Sequence, residues 1–169
     1  MGIGWMSRLR KGIAPDHWGL VPLRIVIGFG FAAHGYAKLV RGPDDFARIV
    51  AALGMPAPLV TAWVTSLLEF AGGILLMLGA FVVPVSVPLG AILLVAIFGV
   101  HLRYGYSSVR LRALSGAGAE FGPIGYELDL LYLAGLATVA WSRASRLSVD
   151  WWIGKFRRSR SPRVSVDTA

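Results

Sequence analysis

The chain has 169 residues, of which 56% are hydrophobic and only 15% charged, too little polar surface for a soluble domain of this length. It contains no cysteine, which excludes disulfides, thiol redox chemistry, Cys-ligated zinc, iron–sulfur clusters and c-type haem attachment. The net charge of +8 would suit nucleic acid in a soluble protein. Here the basic residues lie mostly in tails beside apolar runs, a pattern that fits anionic lipid headgroups and topology control, and no nucleic-acid partner is expected.

Residues 1–19 hold no long apolar core and read as a tail, with no separate signal peptide, so that the first span would act as an uncleaved signal-anchor. Four apolar segments come next, at 20–40, 58–80, 84–103 and 124–142. Each approaches the ~20 residues with which a helix crosses ~30 Å of hydrocarbon. The predicted fold is therefore all-α, an integral membrane four-helix bundle over residues 20–142. Pro22 sits in the first turn of span one, Gly79 closes span two, and the link to span three is short enough for a helical hairpin. Gly122-Pro123 precedes span four.

Two further segments have the pattern of helices lying on a membrane surface. After Pro43, Asp44 and Asp45 can cap a short interfacial helix between spans one and two, with Phe46, Ile49, Val50 and Leu53 on one face. In the basic tail, 143–169, the stretch Ser148 to Phe156 carries Trp151, Trp152, Ile153 and Phe156 with Lys155 among them. The two tails carry ten Lys and Arg, against six on the opposite side and none in the 80–84 link, which places both termini in the cytoplasm, consistent with an even number of spans.

Charged groups at membrane depth are costly and are functional candidates by default. Glu69 falls near the middle of span two, with Thr65, Ser66, Gly72 and Gly73 at helical spacing around it. These small residues turn its face into the bundle. His34 and Lys38 lie one turn apart on span one, and His101 and Glu127 lie at the ends of spans three and four. The expected site is an outward-opening cavity with His34 and Lys38 along one side, Glu69 below and His101 opposite. Lys38 beside a helix end also fits a lysine snorkelling to the interface, as does Arg24 at the other end. His101 fits a satisfied interfacial residue equally well, and Glu127, in the first turn of span four, fits an acid that complements the helix dipole equally well. Asp129 is read as an acid that complements the helix dipole. No metal site is expected.

The segments LRIVIGFGFAAHGYAKL (23–39), FARIVAALGMPAP (46–58), LLEFAGGILLMLG (67–79), VHLRYG (100–105), GYELDLLYLAG (125–135) and SRLSVDWW (145–152) resemble the DoxX family of small bacterial membrane proteins. The HG-x-x-K and E-x-x-GG elements carry the likeness most specifically. The resemblance implies a four-helix bundle in the bacterial cytoplasmic membrane and a link to quinone-coupled oxidation, through the related DoxD subunit of thiosulfate:quinone oxidoreductase and through membrane redox-stress complexes. The expected function is a membrane subunit of a quinone-linked oxidoreductase. Glu69, His34 and His101 would move protons, while His34, Lys38, Glu69 and Glu127 would bind the quinone. The polypeptide brings no redox group of its own, so electrons come from a substrate or a redox partner subunit. The alternative is a non-catalytic anchor or scaffold, in which the polar cluster fixes helix register. An open pocket favours the first; closed mutual pairing favours the second. Membrane lipid is an expected partner, and a homo-oligomer is compatible with either reading.

Overall fold

The computed structural model describes residues 19–116, 118–142 and 147–159. Most of the two expected tails therefore lies outside the described residues. The elements are α1 (Leu20–Arg41), α2 (Pro43–Ala52), α3 (Pro58–Leu78), α4 (Val82–Ala96), β1 (Leu111–Ser115), β2 (Gly118–Phe121), α5 (Glu127–Trp141) and α6 (Val149–Ser159). Helix α4 continues without a break into a π-helical turn, Ile97–His101, and a 3-10 turn, Leu102–Tyr104.

Among the described residues, three helices have the length and apolarity to cross a membrane: Leu20–Arg41, Pro58–Leu78 and Val82–Tyr104. The fourth is shorter than the sequence suggests. Helix α5 has 15 residues, about 22 Å at 1.5 Å per residue, and starts at Glu127 rather than 124. The reason is local. Gly125, Tyr126 and Glu127 donate backbone hydrogen bonds to Ser107, Gly105 and Tyr106, at 3.1, 3.2 and 2.9 Å. A Cβ at Gly125 would stand 2.2 Å from the Gly105 carbonyl oxygen, so only glycine lets the two segments close. The loop between Tyr104 and Glu127 also forms a two-stranded antiparallel hairpin, with Leu111 opposite Phe121 and Ser115 opposite Gly118, where the apolar pattern of the sequence predicts no strand.

The bundle is organised around the pairing of α1 with α3, and the cause is a seam of small residues. A Cβ on Gly73 would lie 2.4 Å from both the Gly28 oxygen and the Ala32 nitrogen, and one on Gly35 would lie 2.3 Å from the Phe70 nitrogen. In lipid there is little hydrophobic drive between helices, so such close backbone approach is the main source of attraction. Helices α4 and α5 complete the bundle. Ile27, Phe31, Leu76, Leu89, Leu93 and Leu136 form the core that all four share. Phe31 and Tyr132 meet edge to face at 5.5 Å. The rim of exposed Leu, Val, Ile and Phe around this core is the surface a membrane protein offers to acyl chains.

Helix α2 is amphipathic, as its sequence pattern predicts. It tucks Val50 inward and leaves Asp44 exposed. Helix α6 folds back onto the turn between α3 and α4. Both oxygens of Asp150 accept backbone hydrogen bonds there, from Phe81 at 2.8 Å and Val82 at 3.1 Å. This contact caps the start of α4 with a side chain 68 residues away in sequence, a role that no local sequence signal assigns to Asp150.

Candidate functional site

Helices α1 and α3 run antiparallel, and the Cα–Cβ bonds of a helix lean toward its own N-terminus. Lys38, near the end of α1, therefore leans into the bundle, while Glu69, in the middle of α3, leans outward to meet it. The Lys38 Nζ lies 2.7 Å from Glu69 Oε1 and 2.7 Å from Oε2. The carboxylate is nearly sealed, with 6% of its side chain exposed, against 23% for the lysine. Above the ammonium stands the Phe46 ring of α2, its centroid 4.3 Å from Nζ. Lys38 thus does not snorkel. Its charge turns inward and is satisfied by a carboxylate on one side and an aromatic face on the other.

A second pair joins α4 to α5. His101 closes the π turn, and its Nδ1 is bonded to Asp129 Oδ2. Asp129 is buried, at 9% exposure, so the assignment of this acid to the helix dipole alone is corrected: it is the partner of His101. A π turn holds one more residue than an α turn and rotates the residues beyond it, a device frequent at functional sites. The signal for this pair was present in the chain order. His101 ends one helix and Asp129 begins the next, so the two necessarily lie at the same end of the bundle.

The remaining expected residues do not join these pairs. His34 is exposed and makes no hydrogen bond or ion pair with any described residue. The expected stair is not joined by hydrogen bonds among the described residues: Lys38 pairs with Glu69 and His101 with Asp129, and His34 bonds to neither pair. The reason is rotational: Gly35, about 100° further around α1, takes the position against α3, and His34 is carried off that seam. Glu127 serves the loop, its Oε2 accepting from the Ser108 N–H at 3.0 Å. Arg24, at the opposite end of the bundle, is buried at 7% exposure and donates from Nη2 to the Leu147 carbonyl at 3.0 Å. It holds the approach to α6 and does not reach for the surface.

An apolar groove of about 570 Å³ lies between α3 and α4, lined by Leu67, Leu68, Ala71, Leu75, Pro84 and Val85 among others. It occupies the side of α3 away from Glu69 and offers no polar group to a reacting centre.

Long apolar helices, a small-residue seam and ion pairs turned inward define a multi-pass α-helical membrane protein. Residues 19–102 match the family model DoxX, and the chain belongs to the DoxX family. The matched stretch runs from the start of α1 to just past His101 and includes both the HG-x-x-K and the E-x-x-GG elements. It stops before the β-hairpin, α5 and α6. Comparison with curated proteins and with solved structures gave no match.

Proposed function

We propose that this protein is a membrane-embedded anchor or scaffold subunit of a redox complex, and that its polar pairs are staples between helices, not reacting groups. The observation that carries this reading is the two-oxygen contact of Lys38 with Glu69 beneath Phe46. An ammonium and a carboxylate that satisfy each other are withdrawn from any ligand. The redox setting comes from the family resemblance, as do the bacterial cytoplasmic membrane and a partner subunit. The charge of the tails supports placing both termini in the cytoplasm.

The second reading is a quinone-linked oxidoreductase subunit, and His101 is the observation in its favour. With Nδ1 held by Asp129, Nε2 makes no hydrogen bond to a described residue, and 29% of the side chain is exposed. In that reading the quinone supplies the electron-accepting chemistry. Lys38 would leave Glu69 to hold a carbonyl oxygen, and Glu69 or His101 would deliver protons. His34 and Glu127 make no hydrogen bond to Lys38, Glu69 or His101, Glu127 being engaged by the Ser108 N–H.

The apolar double replacement Lys38→Met/Glu69→Leu separates the two. A scaffold keeps its partner complex on native gels and carries no quinone by mass spectrometry, before or after replacement. A quinone site shows co-purified quinone in the unmodified protein and loses it in the double variant.

A further inference from the structure

Between Ser142 and Ala169 the sequence holds seven Lys and Arg against two Asp. The structure shows what becomes of one of those acids. Asp150 is turned away from the outside, both oxygens engaged by the Phe81 and Val82 amides, while its own N–H donates to the Gly79 carbonyl at 3.0 Å. Arg24 holds Leu147 from below. These bonds fix the start of α6 at the turn joining α3 and α4, the level at which two spanning helices leave the apolar layer. The one carboxylate of α6 is consumed there, and the basic residues later in the helix, Lys155, Arg157 and Arg158, have no other acid in its sequence to neutralise them.

The same helix presents apolar surface. Trp152, Ile153 and Phe156 are 48%, 39% and 64% exposed. Trp151 and Trp152 meet edge to face at 5.1 Å. The Lys155 Nζ stands 5.3 and 5.2 Å from their centroids, so the charge is held beside indole rings. Indoles prefer the headgroup level, where one edge is wet and the other dry. A helix with exposed aromatic side chains, a basic sequence and a fixed position at the end of a bundle matches the surface of a bilayer that carries negative charge.

We propose that α6 is a binding platform for anionic phospholipid, with Lys155 at the headgroup phosphate, the basic sequence that follows it adding positive charge, and Trp152 and Ile153 seated at the acyl boundary. Zwitterionic lipid satisfies the aromatic side equally well but not the net positive charge. The platform stands whether the protein is a scaffold or a quinone-linked subunit.

The test uses the full chain reconstituted in equimolar phosphatidylcholine and phosphatidylglycerol, re-extracted in mild detergent, with the retained lipid quantified by mass spectrometry. Phosphatidylglycerol should be enriched several-fold over the input ratio. The triple variant Lys155→Gln/Arg157→Gln/Arg158→Gln should return the ratio to the input, while Arg103→Gln/Arg110→Gln/Arg112→Gln in the loop after α4 should leave the enrichment intact. On the unmodified chain, raising the salt to about 1 M shortens the screening length to about 3 Å and should remove it. Retention at the input ratio in the unmodified protein, enrichment that survives the α6 triple variant, or enrichment indifferent to salt would each overturn the proposal.

Discussion

Replacing Lys38 by methionine removes the charged partner of Glu69 and leaves most of the methylene stem in place. The carboxylate, 6% exposed in its side chain, then loses the donor that serves both of its oxygens. Breaking a buried pair in this way costs about 3–5 kcal/mol. The reverse change, Glu69→Gln, should be milder. Lys38 is 23% exposed and lies close to the end of α1 at Arg41, so its freed ammonium can swing toward the surface. It also keeps the Phe46 face, and the loss should be about 1–3 kcal/mol, the penalty for a buried donor left unpaired. Lys38→Met/Glu69→Leu removes both charges and fills the space. Such apolar exchanges are often neutral or stabilising by about 1–4 kcal/mol. The expected order of stability is therefore double variant at or above wild type, then Glu69→Gln, then Lys38→Met. Unfolding by sodium dodecyl sulfate, followed by far-ultraviolet circular dichroism, measures all four proteins in one format. A double variant as unstable as Lys38→Met, or Glu69→Gln falling below Lys38→Met, would refute the argument that the stranded carboxylate sets the cost.

The α1–α3 seam predicts that Gly35→Ala, whose Cβ would meet the Phe70 nitrogen at 2.3 Å, loses about 1–3 kcal/mol. Gly90→Ala, with nothing nearer than 3.8 Å, should match or slightly exceed wild type in the same unfolding assay. Asp150→Ala removes a cap worth about 1 kcal/mol; hydrogen exchange should quicken in Trp151–Phe156 and stay unchanged in α1 and α3. Single cysteines at Ser115 and Ser159 report topology, since the chain has no native cysteine. An impermeant thiol reagent should label position 115 but not 159 in intact cells, and the opposite pattern would invert the assigned orientation. A carboxylate at Asp129 can only accept, so His101 should carry its neutral-state proton on Nδ1. Nitrogen-15 shifts, assigned by their loss in His101→Gln, should show this tautomer in wild type and lose it in Asp129→Leu.

The helices were legible because their signals are local. Apolar length marked α1, α3 and α4, and the spacing of Phe46 and Val50 marked α2. The Glu69 face was legible for the same reason, since Ser66 and Gly73 fall at helical spacing around it and pack inward with it. What could not be read was phase between helices. His34 and Gly35 are adjacent in sequence, and either could have met α3; the closer backbone approach selects the glycine and sends the histidine outward. The start of α5 is displaced from its apolar run because the Tyr126 N–H is bonded to the Gly105 carbonyl, a distant partner that no periodicity reveals. Asp150 is the clearest case. Its position before an aromatic run suggested only the start of a surface helix, whereas its two oxygens cap α4.

These long-range polar contacts explain how a bundle of nearly uniform apolar helices settles on one arrangement. Exchange of one leucine face for another in lipid changes the energy little, because acyl chains are as apolar as the side chains they replace. Contacts with a fixed geometry and a costly alternative are needed to choose. Lys38 with Glu69 joins α1 to α3 and reinforces the glycine seam, while Phe46 draws α2 over the same point. His101 with Asp129 joins the end of α4 to α5, which has no comparable seam of its own along α4: Gly90 is the nearest candidate and lies in ordinary contact with Leu133. Asp150 ties α6 back to the α3–α4 turn, and Arg24 ties the residue Leu147 before it to α1. Each contact names one pair of elements, and mispairing would leave a charge without a partner at membrane depth. Of the residues that first suggested a proton path, Lys38, Glu69 and His101 each make such a linkage, whereas His34 makes none with a described residue.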